Sequence, residues 1–195
     1  MASQAGISTL LQRFAGETSL LQKAAVVFAG SLLLWASAKV QLPFYPVPLT
    51  MQTFAVLAIG AALGWRLGLA TVLLYLAEGA AGLPVFAGTP EKGIGLAYMM
   101  GPTGGYLLGY LPAAAVCGWL AERGWDRSVA LTALAMLAGT VMIYLPGLLW
   151  LGAVVGWDKP VLAWGLTPFL LGDLLKLGLA SAALPLVWRL VGRNS

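Results

Sequence analysis

Two oppositely charged side chains lie one helical turn apart in the last long apolar stretch of the chain. Asp173 and Lys176 stand in the segment 167–176 (TPFLLGDLLK), and the apolar sequence continues to about Arg189. Positions i and i+3 share a helix face, so both side chains can point into the same space. An ionisable group at membrane depth costs roughly 2.5–3.5 kcal/mol on insertion scales and indicates a functional site. The pair therefore predicts a ligand site, with a structural ion pair between helices as the alternative.

The composition is that of a membrane protein. Hydrophobic residues make up 60% of the 195-residue chain and charged residues 9%, and the mean hydropathy is +0.88. Soluble domains carry about 25% charged residues. The absence of histidine argues against a proton relay or a metal site. The single cysteine, Cys117, lies in an apolar run and is interpreted as a core residue, and the scattered basic residues do not suggest nucleic-acid binding.

Six apolar runs predict a single integral membrane domain of six transmembrane helices, at about 20 residues per span. They lie at about 21–38, 51–63, 67–83, 103–121, 128–155 and 168–190. Pro146-Gly147 predicts a kink or an end within the fifth run. Residues 157–166 predict a short re-entrant or surface segment before the final helix.

The distribution of basic residues predicts that both termini are cytoplasmic, because Lys and Arg concentrate on that side of a membrane. Under this topology Lys176 lies within the membrane. The cytoplasmic side then holds Arg13, Lys23, Arg66, Arg123, Arg127, Arg189 and Arg193, and the outer side holds Lys39, Lys92 and Lys159.

Two of the outer loops have an unusual composition. Residues 41–50 contain three prolines within six residues, so this segment must be extended rather than helical. Residues 82–95 are rich in glycine and yet carry apolar and aromatic side chains. Both loops are typical of segments that fold over something apolar. Together with Asp173, Lys176 and the nearby Glu78, they predict a pocket that is open to the outside and suited to a small amphipathic molecule.

Four motifs in order along the chain closely resemble those of the BioY family, the biotin-binding membrane subunits (S components) of energy-coupling-factor transporters. The motifs are 46–53 (PVPLTMQT), 82–88 (GLPVFAG), 101–110 (GPTGGYLLGY) and 168–176 (PFLLGDLLK). The resemblance implies an all-α membrane protein with the six-helix S-component fold. It also implies capture of biotin from the outer face, under a cover formed by the first and third connections.

The resemblance further implies partners in the cell inner (plasma) membrane. These are a transmembrane coupling subunit and two cytoplasmic ATPases, which supply the energy because this chain lacks a phosphate-binding glycine loop ending in Lys-Ser/Thr. The chain is therefore expected to be a transporter subunit and not an enzyme. Biotin is expected as the transported ligand, with no cofactor.

The resemblance assigns ligand contact to Asp173 and Lys176. A carboxylate can accept from the ureido N–H groups of biotin, and an ammonium can donate to the ureido oxygen. Further predicted ligand-binding residues are Tyr98, Phe86, Gly88, Thr89, Phe44, Thr50 and Gln52. Gly88 and Thr89 stand where family members often carry a more polar side chain.

Several of these assignments have structural alternatives. Anchoring at the membrane interface is the alternative for Tyr98. Gln52 and its neighbour Thr53 could bond either the ligand or the backbone. For Glu78 a structural role is favoured, paired with Lys176 or with a loop backbone.

A pair of small residues on the first helix predicts an interface with a partner. Ala25 and Ala29 are four residues apart, a spacing that allows another helix to approach closely. In S components a pair of this type faces the coupling subunit, which is the role that the resemblance implies here.

Three rival functions remain open. An ion-coupled secondary transporter using Glu78 and Asp173 predicts inverted internal repeats, and the sequence contains no convincing one. A membrane-embedded enzyme needs a nucleophile–base pair, and none is visible. The third rival is an S component for another vitamin.

Overall fold

The computed structural model describes residues 9–15, 19–42 and 45–192, most of which are helical. Two short strands, β1 (Gln41–Leu42) and β2 (Leu49–Thr50), and two 3-10 helices, Trp125–Arg127 and Thr167–Phe169, complete the elements described. In chain order the α-helices are α1 (Leu10–Ala15), α2 (Leu20–Lys39), α3 (Gln52–Leu63), α4 (Trp65–Ala80), α5 (Gly95–Met99), α6 (Gly104–Ala121), α7 (Val129–Val155), α8 (Val161–Gly165) and α9 (Leu170–Gly192).

Four helical stretches of the described residues are long and apolar enough to cross a membrane. They are Leu20–Lys39, Gly104–Ala121, Val129–Val155 and Val161–Leu190. Helices α3 and α4 are shorter, at 12 and 16 residues, so α3 is only about 18 Å long at 1.5 Å per residue. The prediction of a mainly helical chain is confirmed, and these four stretches have the length and composition of membrane spans.

The proline-rich segment between α2 and α3 forms a small β-hairpin. Gln41 pairs with Thr50 and Leu42 with Leu49, in antiparallel register. The predicted extended conformation is thus confirmed, and this hairpin is a small addition to a mainly helical fold. Proline lacks the N–H that a helix needs, and the residues on either side of the turn satisfy their backbone groups by pairing with each other.

Helix α7 continues through Pro146, so the predicted end of a helix at this position is wrong. Close packing against α6 accompanies this continuity. A Cβ added at Gly109 would lie 2.8 Å from the backbone oxygen of Met142. Glycines of the 101–110 motif therefore let α6 and α7 approach closely.

Helix α6 lies at the centre of the fold and packs against α3, α4 and α7, whereas α9 packs on α7 and α3. The C-terminal part of α9 is also tied to the turn after α6, because the indole N–H of Trp188 donates to the buried carboxylate of Asp126. The N-terminal part of α9 meets the hairpin and the start of α3. This end of the molecule contains the candidate site.

Candidate ligand-binding site

A cavity opens at the end of the fold where the hairpin, the loop after α4 and the N-terminal part of α9 meet. About 510 Å³ of space not filled by atoms lies in it, a volume that includes open solvent at its mouth. Its walls combine apolar side chains, four tyrosines and one charged group. The lining residues are Val47, Pro48, Thr50, Gln52, Thr53, Ala87, Tyr98, Thr103, Tyr106, Leu107, Tyr110, Tyr144, Phe169 and Lys176.

Lys176 supplies the charge in the wall of this cavity. Its ammonium donates to the backbone oxygen of Thr50 at 2.8 Å, to Oγ1 of Thr53 at 3.0 Å and to Oδ1 of Asp173 at 3.1 Å. An ammonium has three donors, so each has an acceptor from a different element: the hairpin, α3 and α9. The Lys176 side chain is 16% exposed. A ligand oxygen that binds it must therefore replace or share one of these acceptors.

Asp173 pairs with Lys176 as predicted, but it faces a neighbouring space. Its second carboxylate oxygen, Oδ2, accepts from the hydroxyl of Tyr144, and the side chain is 13% exposed. Asp173 bounds a smaller pocket of about 260 Å³, which shares Thr53 and Lys176 with the main cavity. The carboxylate is therefore separated from the main cavity by Lys176 and Tyr144.

The four tyrosines present their rings to the cavity and direct their hydroxyls into the protein. Aromatic faces of this kind suit the flat apolar surface of a fused-ring ligand. Besides the Tyr144 contact, the hydroxyl bonds run from Tyr98 to the oxygen of Ala87 (2.7 Å), from Tyr106 to the oxygen of Gly165 (2.9 Å) and from Tyr110 to Oε1 of Gln52 (3.3 Å).

Sequence reasoning missed three of these tyrosines. Tyr106 and Tyr110 stand four residues apart in the 101–110 motif and hence on one helix face, a signal that could have identified them. Tyr144 lies on α7, apart from every motif, and no sequence signal marks it. Thr53 was considered together with Gln52, and the structure places both in the wall.

Four of the predicted ligand-binding residues line the cavity, namely Thr50, Gln52, Tyr98 and Lys176. Gln52 is only 2% exposed, and both the nitrogen and the oxygen of its side-chain amide are hydrogen-bonded. Its Nε2 donates to the backbone oxygen of Leu34 at 3.4 Å, while its Oε1 accepts from Tyr110. Phe44 lies outside the described residues.

Three other predicted residues, Phe86, Gly88 and Thr89, do not line the cavity. The ring of Phe86 is fully buried and stacks against Tyr98, with centroids 5.0 Å apart. Gly88 has φ +71°, in the left-handed region that favours glycine. The turn that results directs Ala87, not its neighbours, to the cavity, so these three residues shape the wall from behind.

The hydroxyl of Thr89 makes its hydrogen bonds to this turn and to Lys39. Its hydroxyl donates to the backbone oxygen of Phe86 at 2.7 Å and accepts from the ammonium of Lys39 at 3.0 Å. The loop that carries the 82–88 motif is thus closed by a hydrogen-bonded turn spanning residues 86–89.

Glu78 has a structural contact, as favoured from the sequence, but its partner is Ser31 and not Lys176. Its Oε1 accepts from the hydroxyl of Ser31 at 3.0 Å, a bond between α4 and α2. The three donors of Lys176 already have acceptors nearer to it, which explains why the two residues do not meet.

Ala25 and Ala29 lie on an exposed face of α2. Phe28, between them in the sequence, is 54% exposed. This surface is apolar, and its two alanines are small, so another helix or lipid can approach them closely.

Comparisons with known proteins agree with the motif-based resemblance. The model of the BioY family matches residues 8–193. A protein of Pyrococcus horikoshii named "Probable biotin transporter BioY" is 38% identical over 157 residues, covering 80% of this chain and 88% of that protein. The "Biotin transporter BioY" of Rhodobacter capsulatus is 43% identical over 162 residues, covering 73% of this chain and 83% of its own length.

A solved structure shares the fold. It is described as the S-component for biotin from an ECF-type ABC transporter, and it matches with a TM-score of 0.71 at 23% identity. The match covers 89% of this chain and 95% of that chain.

Proposed function

The chain belongs to the BioY family, and from this premise we propose that it is the biotin-binding membrane subunit of an energy-coupling-factor transporter. The observation that carries the proposal is the cavity with Lys176 in its wall and Asp173 directly beside it. A cavity with an aromatic lining and a few polar groups suits a small amphipathic vitamin. The names of the relatives support biotin as that vitamin.

The proposed binding mode uses both charged residues. The ureido oxygen of biotin accepts from Lys176, which gives up one of its present acceptors. A ureido N–H donates to Asp173 and takes the place of the Tyr144 hydroxyl on that carboxylate. Charge-assisted bonds of this kind are stronger than neutral ones, and the tyrosine rings cover the apolar faces of the bicyclic ligand.

We further propose a topology of six membrane crossings with both termini in the cytoplasm and the cavity open to the outside. The distribution of Lys and Arg supports this orientation. Helices α3 and α4 are each shorter than a full span of about 20 residues, and in this arrangement the hairpin and the 82–95 loop complete the outer end.

Thiol labelling tests this topology. Single cysteines placed at Lys23 and Lys159 in a Cys117→Ala background should react with an impermeant thiol reagent from opposite sides of the membrane.

The proposed partners are the coupling subunit, which docks on the Ala25–Ala29 face of α2, and two ATPases that drive release of biotin to the cytoplasm. Exposure of both alanines supports this face as the docking surface. Uptake should then stop on ATP depletion. Uptake that survived ATP depletion and was abolished by a protonophore would favour the ion-coupled transporter instead.

Calorimetry of the purified subunit with biotin and a panel of other vitamins tests the proposed ligand. Biotin should bind, and the other vitamins should not. Binding of a different vitamin without binding of biotin would overturn the ligand assignment and leave the fold and the family unaffected.

A further inference from the structure

The ammonium of Lys39 makes an unusually complete set of contacts with one short turn. Its Nζ donates to the backbone oxygen of Phe86 at 3.0 Å, to the backbone oxygen of Thr89 at 3.1 Å and to Oγ1 of Thr89 at 3.0 Å. All three donors of the ammonium thus go to atoms of the 86–89 turn. Lys39 is the last residue of α2, where the helix dipole favours a positive charge.

The turn that Lys39 holds is part of the cavity wall. Ala87 lies at its centre and lines the cavity, and its backbone oxygen accepts from the hydroxyl of Tyr98 at 2.7 Å. Lys39 itself is not among the lining residues. The turn is therefore held by two side chains, Tyr98 in the cavity wall and Lys39 outside it.

Opening of this loop would break several strong bonds at once. The three acceptors of Lys39 lie within four residues, so the turn cannot move away from α2 without separating from the ammonium. Hydrogen bonds to a charged group are stronger than those between neutral groups. The contact thus opposes movement of the wall segment that contains Ala87.

We propose that Lys39 is a positioning residue for the ligand: it clamps the 86–89 turn against the cavity and thereby slows the escape of bound biotin. The inference rests on the proposed function for the identity of the ligand. It also gives Thr89 a defined role, because the threonine acts through Lys39 and the turn and not by touching the ligand. The clamp connects the loop to α2, the helix whose other face is proposed to dock the coupling subunit.

Dissociation kinetics of labelled biotin test the clamp. Lys39→Met keeps the length of the side chain and removes its donors, and it should raise the dissociation rate roughly tenfold while the association rate changes less than about twofold. Lys39→Arg keeps a charged donor and should restore most of the slow dissociation. The matched control is Lys159→Met, since Lys159 lies in the loop between α7 and α8 in an exposed ion pair with Asp158 and should leave both rates unchanged.

A double-mutant cycle with Thr89→Val identifies the contact. If Lys39 acts through the turn, the effects of Lys39→Met and Thr89→Val should be less than additive, because both remove the bond between Nζ of Lys39 and Oγ1 of Thr89. Hydrogen exchange of residues 84–95 in the ligand-free protein should also speed up in Lys39→Met. These measurements report on the clamp even if one variant folds poorly, since Lys39→Arg and Thr89→Val carry the test independently.

The outcomes separate the clamp from the proposed function. If the unmodified protein fails to bind biotin, the function proposal fails and with it the assignment of the ligand. If it binds biotin and Lys39→Met dissociates at the unmodified rate, the clamp alone is overturned. A Lys39→Met variant whose association rate falls while dissociation is unchanged also overturns it, because that pattern indicates a role in entry.

Discussion

Lys176 and Lys39 both use all three ammonium donors, but they hold different parts of the molecule together. The acceptors of Lys176 come from three elements and include the carboxylate of Asp173. Those of Lys39 are neutral oxygens of a single turn. Lys176 lines the cavity and Lys39 does not. Equal hydrogen-bond satisfaction therefore does not imply an equal role.

The difference lies in what remains when one partner is removed. Loss of one member of a partly buried ion pair leaves a charge with incomplete compensation, which is strongly destabilising. Loss of Lys39 leaves neutral oxygens of the 86–89 turn and no uncompensated charge. We therefore expect Lys176 and Asp173 to determine capture of the ligand, and Lys39 to determine its retention.

Asp173→Asn should have the largest effect on affinity. The amide has nearly the shape of the carboxylate, but it removes the negative charge that the ligand N–H and Lys176 both require. Removing one partner of a buried charged hydrogen bond at a binding interface costs about 2–5 kcal/mol of affinity, so calorimetry should show biotin binding weakened by roughly a hundredfold.

The control for this variant is Asp158→Asn. Asp158 also pairs with a lysine, Lys159, at 3.0 Å, but both side chains are more than half exposed, and exposed ion pairs contribute little. Its affinity for biotin should equal that of the unmodified protein. If Asp173→Asn also bound normally, Asp173 and Lys176 would be a structural ion pair and the proposed binding mode would be wrong.

Lys176→Met should weaken binding by roughly thirtyfold, the equivalent of one strong charged hydrogen bond. The comparison with Lys39→Met is kinetic. Removal of Lys176 takes away a group that meets the ligand directly, so both the association and the dissociation of biotin should change. Stopped-flow measurement of the association and dissociation rates of biotin in both variants would test this. If the two variants changed both rates to the same extent, the proposed difference in role between Lys176 and Lys39 would be wrong.

Much of this site could be predicted from the sequence, because its main features are local. Asp173 and Lys176 stand out as charges in an apolar helix, and their spacing alone places them on one face. Thr50 at the end of the hairpin and Gln52 at the start of α3 belong to one motif that contains two prolines. In each case chemistry and position are encoded within a few residues.

The parts that could not be predicted depend on contacts between distant segments. Phe86 and Thr89 were expected to meet the ligand, but the left-handed conformation of Gly88 and the bond from Lys39 turn them away. The side-chain direction in a glycine-rich turn is set by such tertiary contacts. Tyr144 reaches Asp173 across 29 residues of chain, and nothing in its own neighbourhood predicts that contact.

Tyr144→Phe should have a small effect on affinity and would refine the role of Asp173. In the ligand-free structure the Tyr144 hydroxyl occupies the carboxylate oxygen that a ureido N–H is proposed to take. Its removal frees that oxygen but costs a neutral donor, worth about 0.5–1.5 kcal/mol. Calorimetry should show a change of no more than about tenfold in either direction. A loss as large as that of Asp173→Asn would instead make Tyr144 a direct ligand contact.

Ala29→Leu should leave biotin affinity unchanged and abolish assembly with the coupling subunit. Ala29 and Lys39 belong to the same helix, but Ala29 is exposed and ten residues from the clamp. A bulky side chain there prevents close approach of another helix without touching the cavity. Copurification with the coupling subunit, measured together with the dissociation rate of biotin, would test this separation. Faster dissociation in Ala29→Leu would show that the face of α2 and the Lys39 clamp act as one unit, since a change at one end would then be felt at the other.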